Sequence, residues 1–148
     1  MSTILLCDEN IIECNHAALA FTVRLFLGIV FLLQGYDKVF KVKMAGVIEA
    51  LSQPMSTNHI ARPVVVLAAY YTSFVELLAG LFLILGLFTN FALYALGLDI
   101  VMVAFAMGLA KPMWDMHHVF PRLILIVILL AIPPHWDVYS LDFLIHNK

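Results

Sequence analysis

The sequence predicts an all-α integral membrane protein: a four-transmembrane-helix bundle with a short amphipathic interfacial helix between spans one and two. Three observations carry this expectation. Hydrophobic residues make up 64% of the 148-residue chain and charged residues only 12%, against roughly a quarter charged in soluble domains, and mean hydropathy is +1.00. The apolar residues gather into four stretches, most of them near the ~20 residues that cross a bilayer. Polar or proline-punctuated connectors separate those stretches.

Composition also excludes partners. A formal net charge of −2 with eight Lys and Arg leaves no concentrated basic surface for phosphate, so nucleic acid is not an expected partner. The chain carries no Gly-rich phosphate loop, CxxC or HExxH motif.

Residues 1–17 read as a polar leader and 18–148 as the membrane domain. The leader, "MSTILLCDENIIECNH", has acidic residues where a secretory signal needs a basic region and no small-residue cleavage site follows, so it is expected to be retained. Cys7 and Cys14 are seven residues apart. On a helix that is about 10 Å along the axis, too far for a disulfide bond, so unpaired thiols are the favoured state.

Span one is expected from about Ala18 to Val39. The connector "KVFKVKMAGVIEALSQPMSTNHIARP" follows, with Phe40, Met44, Val47, Ile48 and Leu51 at helical spacing. That pattern fits an amphipathic helix on the membrane surface or one packed over the bundle mouth. Span two runs from about Val64 to Leu87 and span three from about Phe91 to Leu109, joined by "LFTNF" as an antiparallel hairpin. Span four, about Val119 to Ile132, carries Arg122 near its start and is closed by Pro133 and Pro134. It must snorkel its charge, thin the bilayer or continue past the prolines.

Lys38, Lys41, Lys43, Arg62, Lys111 and Arg122 flank one side, and Arg24 and Lys148 the other. The positive-inside rule then places both termini outside the cytoplasm, in an inner (cytoplasmic) membrane.

The informative residues are charges in oil. A central charged residue costs about 2.5 to 3.5 kcal/mol on an insertion scale, whereas a good apolar residue contributes about 0.3 to 0.6 kcal/mol. Insertion tolerates Glu76, but tolerance does not explain it. Glu76 lies 13 residues before Thr89 and Asp99 10 after it, so across a hairpin their depths differ by about 4 to 5 Å. Small residues share their faces: Gly28 and Gly35 with Arg24, Gly80 with Glu76, and Ala92, Ala95 and Ala106 with Asp99. Such stripes let helices approach closely and point into the bundle. Arg24, Glu76 and Asp99 are therefore expected to form one polar cluster in the outer half of the bundle, within about 8 Å of one another, a reach the long Arg24 side chain allows. With one arginine against two acids, one carboxyl is expected to hold a proton. Glu76 and Asp99 are the candidate proton-handling pair, and Arg24, Gly28 and Gly80 the candidate binding positions.

Tyr70, Tyr71, Trp114, Trp136 and Tyr139 fit membrane-interface belts. "WDMHH" brings Asp115, His117 and His118 together, with His59 in a loop on the same side; solvated interfacial histidines are favoured over a metal or relay site, and no metal is assigned. No histidine falls inside an expected span, so haem would need a partner's ligand.

"RLFLGIVFLLQGYDKVF", "ELLAGLFLILGLFTNFALYALGLDIVMVA" and the closing "YSLD" together resemble the DoxX family, with Arg24, Gly28, Phe31, Gly35, Lys38, Glu76, Gly80, Gly86, Thr89 and Asp99 in the family's order. The resemblance runs from Arg24 to Asp142. It implies a membrane subunit of a thiosulfate:quinone oxidoreductase-like assembly, a member of a thiol-redox complex, or an assembly factor. Quinone is then the cofactor to expect, and the bilayer and other membrane subunits the partners. Asn90 stands where a basic residue commonly follows the threonine, and "PPHWDV" replaces a Gly-Pro-Gly-like turn. Related thiol oxidoreductases use CxxC pairs, so an accessory subunit is expected rather than a dithiol catalyst. The second expectation is a non-enzymatic structural or assembly factor. A solute carrier is disfavoured because no inverted repeat or matched broken helix is visible.

Overall fold

A long apolar segment in lipid must satisfy its backbone hydrogen bonds internally, and among the described residues every regular element is helical. The computed structural model describes residues 11–56, 60–110, 117, 119–133 and 136–146. In order these form α1 (Ile11–Tyr36), a π-helical segment (Asp37–Val42), α2 (Lys43–Ser56), α3 (Arg62–Leu85), α4 (Thr89–Ala110), α5 (Val119–Ala131) and α6 (Leu141–His146). Three helical stretches, Cys14–Ser52, Arg62–Leu85 and Thr89–Ala106, are long and apolar enough to cross a membrane, and α5 is a shorter apolar helix. The first stretch is 39 residues long, about twice what a bilayer needs, so only part of it can lie in hydrocarbon.

α1 begins at Ile11, seven residues before the start expected for span one, so the last seven residues of the polar leader are helical. At its far end the helix widens into the π-helical segment and breaks at Lys43, where φ is 61° and ψ 158°. That region is almost confined to glycine and costs a side-chain-bearing residue about 1 to 3 kcal/mol. Beyond the break α2 packs on α3 and α4, with Val47 buried and Leu51 against a small cluster of Val65 and Ala106. α2 thus packs against the bundle, as the second of the two expectations has it, with its other face exposed.

α3 opens with a proline in its first turn, where a missing N–H does no harm. It closes on Gly86 at φ 67°. There Gly86 N donates to Leu83 O at 3.2 Å and Leu87 N to Phe82 O at 3.0 Å, the paired bonds of a Schellman motif. Phe88 follows at φ 49°, and α4 starts at once, giving the expected tight hairpin.

Glycines bring α1 and α3 together. A Cβ at Gly28 would meet the Gly80 carbonyl and one at Gly80 the Leu32 backbone, while one at Gly35 would fall on the backbone of Leu77. Where lipid is as apolar as leucine, such close van der Waals approach is the main force joining helices. The core behind this contact holds Leu27, Phe31, Leu83, Leu96, Ile100 and Ile126, all at most 1% exposed. α4 is apolar all round, and its exposed stripe of Phe91, Tyr94, Leu98, Val101 and Phe105 recurs every three or four residues as a lipid face does. α5 stops at Ala131, just before Pro133. Proline disfavours helix in the residue ahead of it.

Candidate functional site

The buried charges form two clusters at different depths, not one. Arg24, 1% exposed, lies level with the C-terminal end of α3. Its Nη1 donates to the main-chain oxygens of Leu83 at 2.6 Å and Ile84 at 3.4 Å, its Nη2 to that of Tyr139 at 3.0 Å, and its Nε to Asp137 Oδ1 at 3.2 Å. The Leu83 and Ile84 carbonyls carry the negative end of the α3 dipole, where a cation is stabilised. Burial pushes the Asp137 carboxyl above its ordinary 3.8, with the Arg24 guanidinium pulling it back down.

Asp142 does the reciprocal job for α4. Its carboxylate accepts from Phe88 N at 2.9 Å and Thr89 N at 2.8 Å, orphan donors at a helix N-terminus. Its own N–H donates to Gly86 O at 2.9 Å. The closing "YSLD" thus latches onto the α3–α4 turn, with Arg24 bolting the other side. A cleft of about 620 Å³ lies beside the latch, lined by Phe88, Phe91, Leu129, Phe143, Asp137 and Asp142 among others.

The expected cluster of Arg24, Glu76 and Asp99 does not form as one. Seven residues, about 10 Å of rise, separate Glu76 from Leu83, and Arg24 is held at the level of Leu83 by carbonyls. Glu76, 2% exposed, instead has Lys38 as its cation: Lys38 Nζ lies 2.7 Å from Glu76 Oε2 and donates to Thr72 Oγ1 at 3.0 Å. Lys38, assigned above to a flank, reaches inward from the π-helical segment; such segments recur at functional sites.

Glu76 and Asp99 do come together, close enough for their charges and side chains to interact. Asp99 is fully buried, beside Thr72 as well. Among the described residues no cation lies within ion-pair distance of it. Arg122 adds a longer-range positive field on Glu76 from α5. One layer therefore draws ionisable groups from four helical elements. The signal for Lys38 was present in the sequence, 14 residues after Arg24, once Arg24 is placed level with the hairpin turn.

Gly28 and Gly80, candidate binding positions, are filled by the contact between α1 and α3. Tyr71, expected in an interface belt, points between helices, its hydroxyl donating to Ala95 O at 3.3 Å. Trp136 stacks on His16 with ring centroids 3.8 Å apart, and Tyr139 meets Phe21 edge-on. His16 lies inside α1, because that helix starts earlier than expected. Cys14 is half-buried on α1. Cys7, His59, Trp114, Asp115 and His118 lie outside the described residues.

The fold and these clusters define an integral membrane helical bundle with ionisable side chains held between its helices. Residues 19–112, well over half of the chain, match the DoxX family model. The chain belongs to the DoxX family, a family of membrane proteins. The match ends before α5 and the Asp142 latch. No curated protein and no solved structure is similar enough to count as a match.

Proposed function

We propose that this chain is the membrane subunit of a redox assembly, quinone-linked in the manner of thiosulfate:quinone oxidoreductase, and that Glu76 and Asp99 handle the proton that accompanies quinone chemistry. The supporting observation is Asp99, fully buried beside Glu76 with no cation of its own within ion-pair distance among the described residues. A buried carboxyl with no cation of its own is costly as a carboxylate and is held most readily as the neutral acid, which keeps a proton in reserve. A positioned carboxyl near its proton partner is what general acid–base chemistry needs. In this reading α5 crosses as a fourth span, both termini face outside the cytoplasmic membrane, and other membrane subunits supply the redox centre. Purification in mild detergent with native lipids is expected to retain quinone and a redox partner; loss of both at every detergent tested would overturn the reading.

A structural or assembly role is the second reading, favoured by Arg24. All of its observed bonds hold helix ends and the C-terminal segment. Glu76→Gln and Asp99→Asn together separate the two, since an isosteric amide preserves hydrogen bonding but carries no proton. Full function in both variants favours the structural reading.

A further inference from the structure

We infer that Lys38 sorts the two buried carboxyls into different roles: it keeps Glu76 as a standing carboxylate and leaves Asp99 as the group that takes up and releases the proton. This deepens the proton-handling reading and rests on it for its purpose, but assigns the proton to one residue and adds a positioning residue outside the carboxyl pair.

The geometry is asymmetric. Lys38 Nζ is 2.7 Å from Glu76 Oε2 and is steadied by Thr72 Oγ1 at 3.0 Å, so one ammonium compensates one carboxylate. Asp99 has no such partner. Its side chain is fully buried, with the Thr72 hydroxyl and Glu76 beside it, and among the described residues no cation lies within ion-pair distance of it. Stripping water from an ionised carboxylate is far more costly than stripping it from the neutral acid, unless a cation or several hydrogen bonds replace that water. Of the groups facing Asp99, Glu76 makes this worse and the Thr72 hydroxyl eases it. From its own partner helix α3 come Glu76, whose negative charge opposes a second one, Thr72 and the Tyr71 phenol. Lys38 acts on Asp99 across a greater distance than on Glu76, and Arg122 of α5 acts on Glu76. On α2, also packed on α4, Lys43 and Glu49 are exposed. A proton on Asp99 removes the uncompensated charge and supplies an O–H that Glu76 can accept. The step is a simple exchange, Asp99–COOH giving Asp99–COO⁻ and H⁺, with no electron moved.

The location of Lys38 fits a positioning role. It stands on the π-helical segment, one turn before the break at Lys43, where the wider turn aims a residue of α1's continuation at α3.

The test is infrared difference spectroscopy on the full chain in lipid nanodiscs, reading the carbonyl stretch of protonated carboxylic acids in H₂O and D₂O across a pH titration. The wild type is expected to show a buried, deuterium-sensitive acid band that Asp99→Asn deletes and Glu76→Gln keeps. Lys38→Arg is expected to keep the band, while Lys38→Met adds a second, Glu76-derived acid. A band that survives D99N and disappears in E76Q, a wild type with no such band, or a K38M spectrum identical to wild type would overturn the assignment. Should K38M fail to fold, D99N and E76Q still decide which residue carries the proton. No quinone or partner enters the measurement, so its failure is distinct from a failure to find a redox assembly.

Discussion

Arg24 Nη1 donates to the Leu83 main-chain oxygen at 2.6 Å, so a charge on α1 closes the last turn of α3. The same guanidinium holds Asp137 and the Tyr139 carbonyl, joining three separate parts of the chain. Removing one partner of a buried ion pair costs about 3 to 5 kcal/mol, because the other is left uncompensated. Arg24→Met is therefore expected to lower unfolding stability in detergent by about that much. Arg24→Lys is expected to recover only part of it, since an ammonium lacks the planar fork that meets several acceptors at once. Equal stability of R24K and wild type would show that charge alone matters there.

The Asp137 carboxyl, pushed above 3.8 by burial and drawn down by Arg24, gives a pH signature. A folded-state value above the unfolded one means that the folded chain binds the proton more tightly, so stability falls as pH rises from 3.8 through the raised value. Asp137→Asn is expected to flatten this slope in chemical unfolding followed from pH 4 to 7. A stability that instead rises more steeply in the wild type than in D137N would mean that Arg24 outweighs burial.

Asp142 caps a helix to which it is not joined in sequence, 53 residues from Thr89. Loss of an N-cap costs about 0.5 to 2 kcal/mol. Asp142→Ala is expected to cost about 1 kcal/mol and to raise protease cleavage between α5 and α6, whereas D142N, which keeps one acceptor oxygen, loses less. Unchanged cleavage would show that the latch is held by Arg24 alone.

Glycine substitutions read the packing of α1 on α3 directly. At Gly80 an added Cβ meets the backbone of Leu32, which cannot turn aside, while at Gly97 it comes no nearer than 4.0 Å to the flexible end of Ile126. Overpacking costs about 1 to 3 kcal/mol, and Ala for Gly in a helix interior gains up to about 1 kcal/mol. Thermal unfolding should show Gly80→Ala destabilised and Gly97→Ala unchanged or stabilised. The reverse order would place the close approach elsewhere.

Much of this arrangement is legible in the amino-acid order, and the parts that are not share a cause. Stripes of small residues through Gly28, Gly80 and Ala92 mark the inward faces because only small side chains admit a second backbone, and Glu76 and Asp99 sit on those stripes. The hairpin follows from a left-handed glycine and a very short turn. The partners of Arg24 and Glu76 are not legible there because they depend on how far α1 slides along α3, a register that apolar residues on all sides of a helix leave open. A shift of about 10 Å moves Arg24 from the carboxyl level to the helix end. Lys38 was hidden by its basic neighbours Lys41 and Lys43, which do remain exposed; the π-helical widening that turns it inward has no signature in composition.

The pairing of Lys38 with Glu76 leads to the sharpest stability test. Both ends are removed from water, Glu76 almost wholly and Lys38 to 28% exposure, so each single change strands the other's charge. Lys38→Met leaves the more deeply buried Glu76 stranded and is expected to cost about 3 to 5 kcal/mol. Glu76→Gln strands the less buried Lys38, whose long stem can carry its ammonium toward water, and should cost less. The double variant K38M/E76Q leaves no charge in the pair and is expected to recover most of the K38M loss, a coupling at or above the upper end, about 3 kcal/mol, of what contacting residues show. Guanidine or thermal unfolding of all four proteins in one detergent supplies the cycle. Losses that merely add would show that the 2.7 Å contact contributes nothing as a pair, and would take from Lys38 its hold on the charge of Glu76.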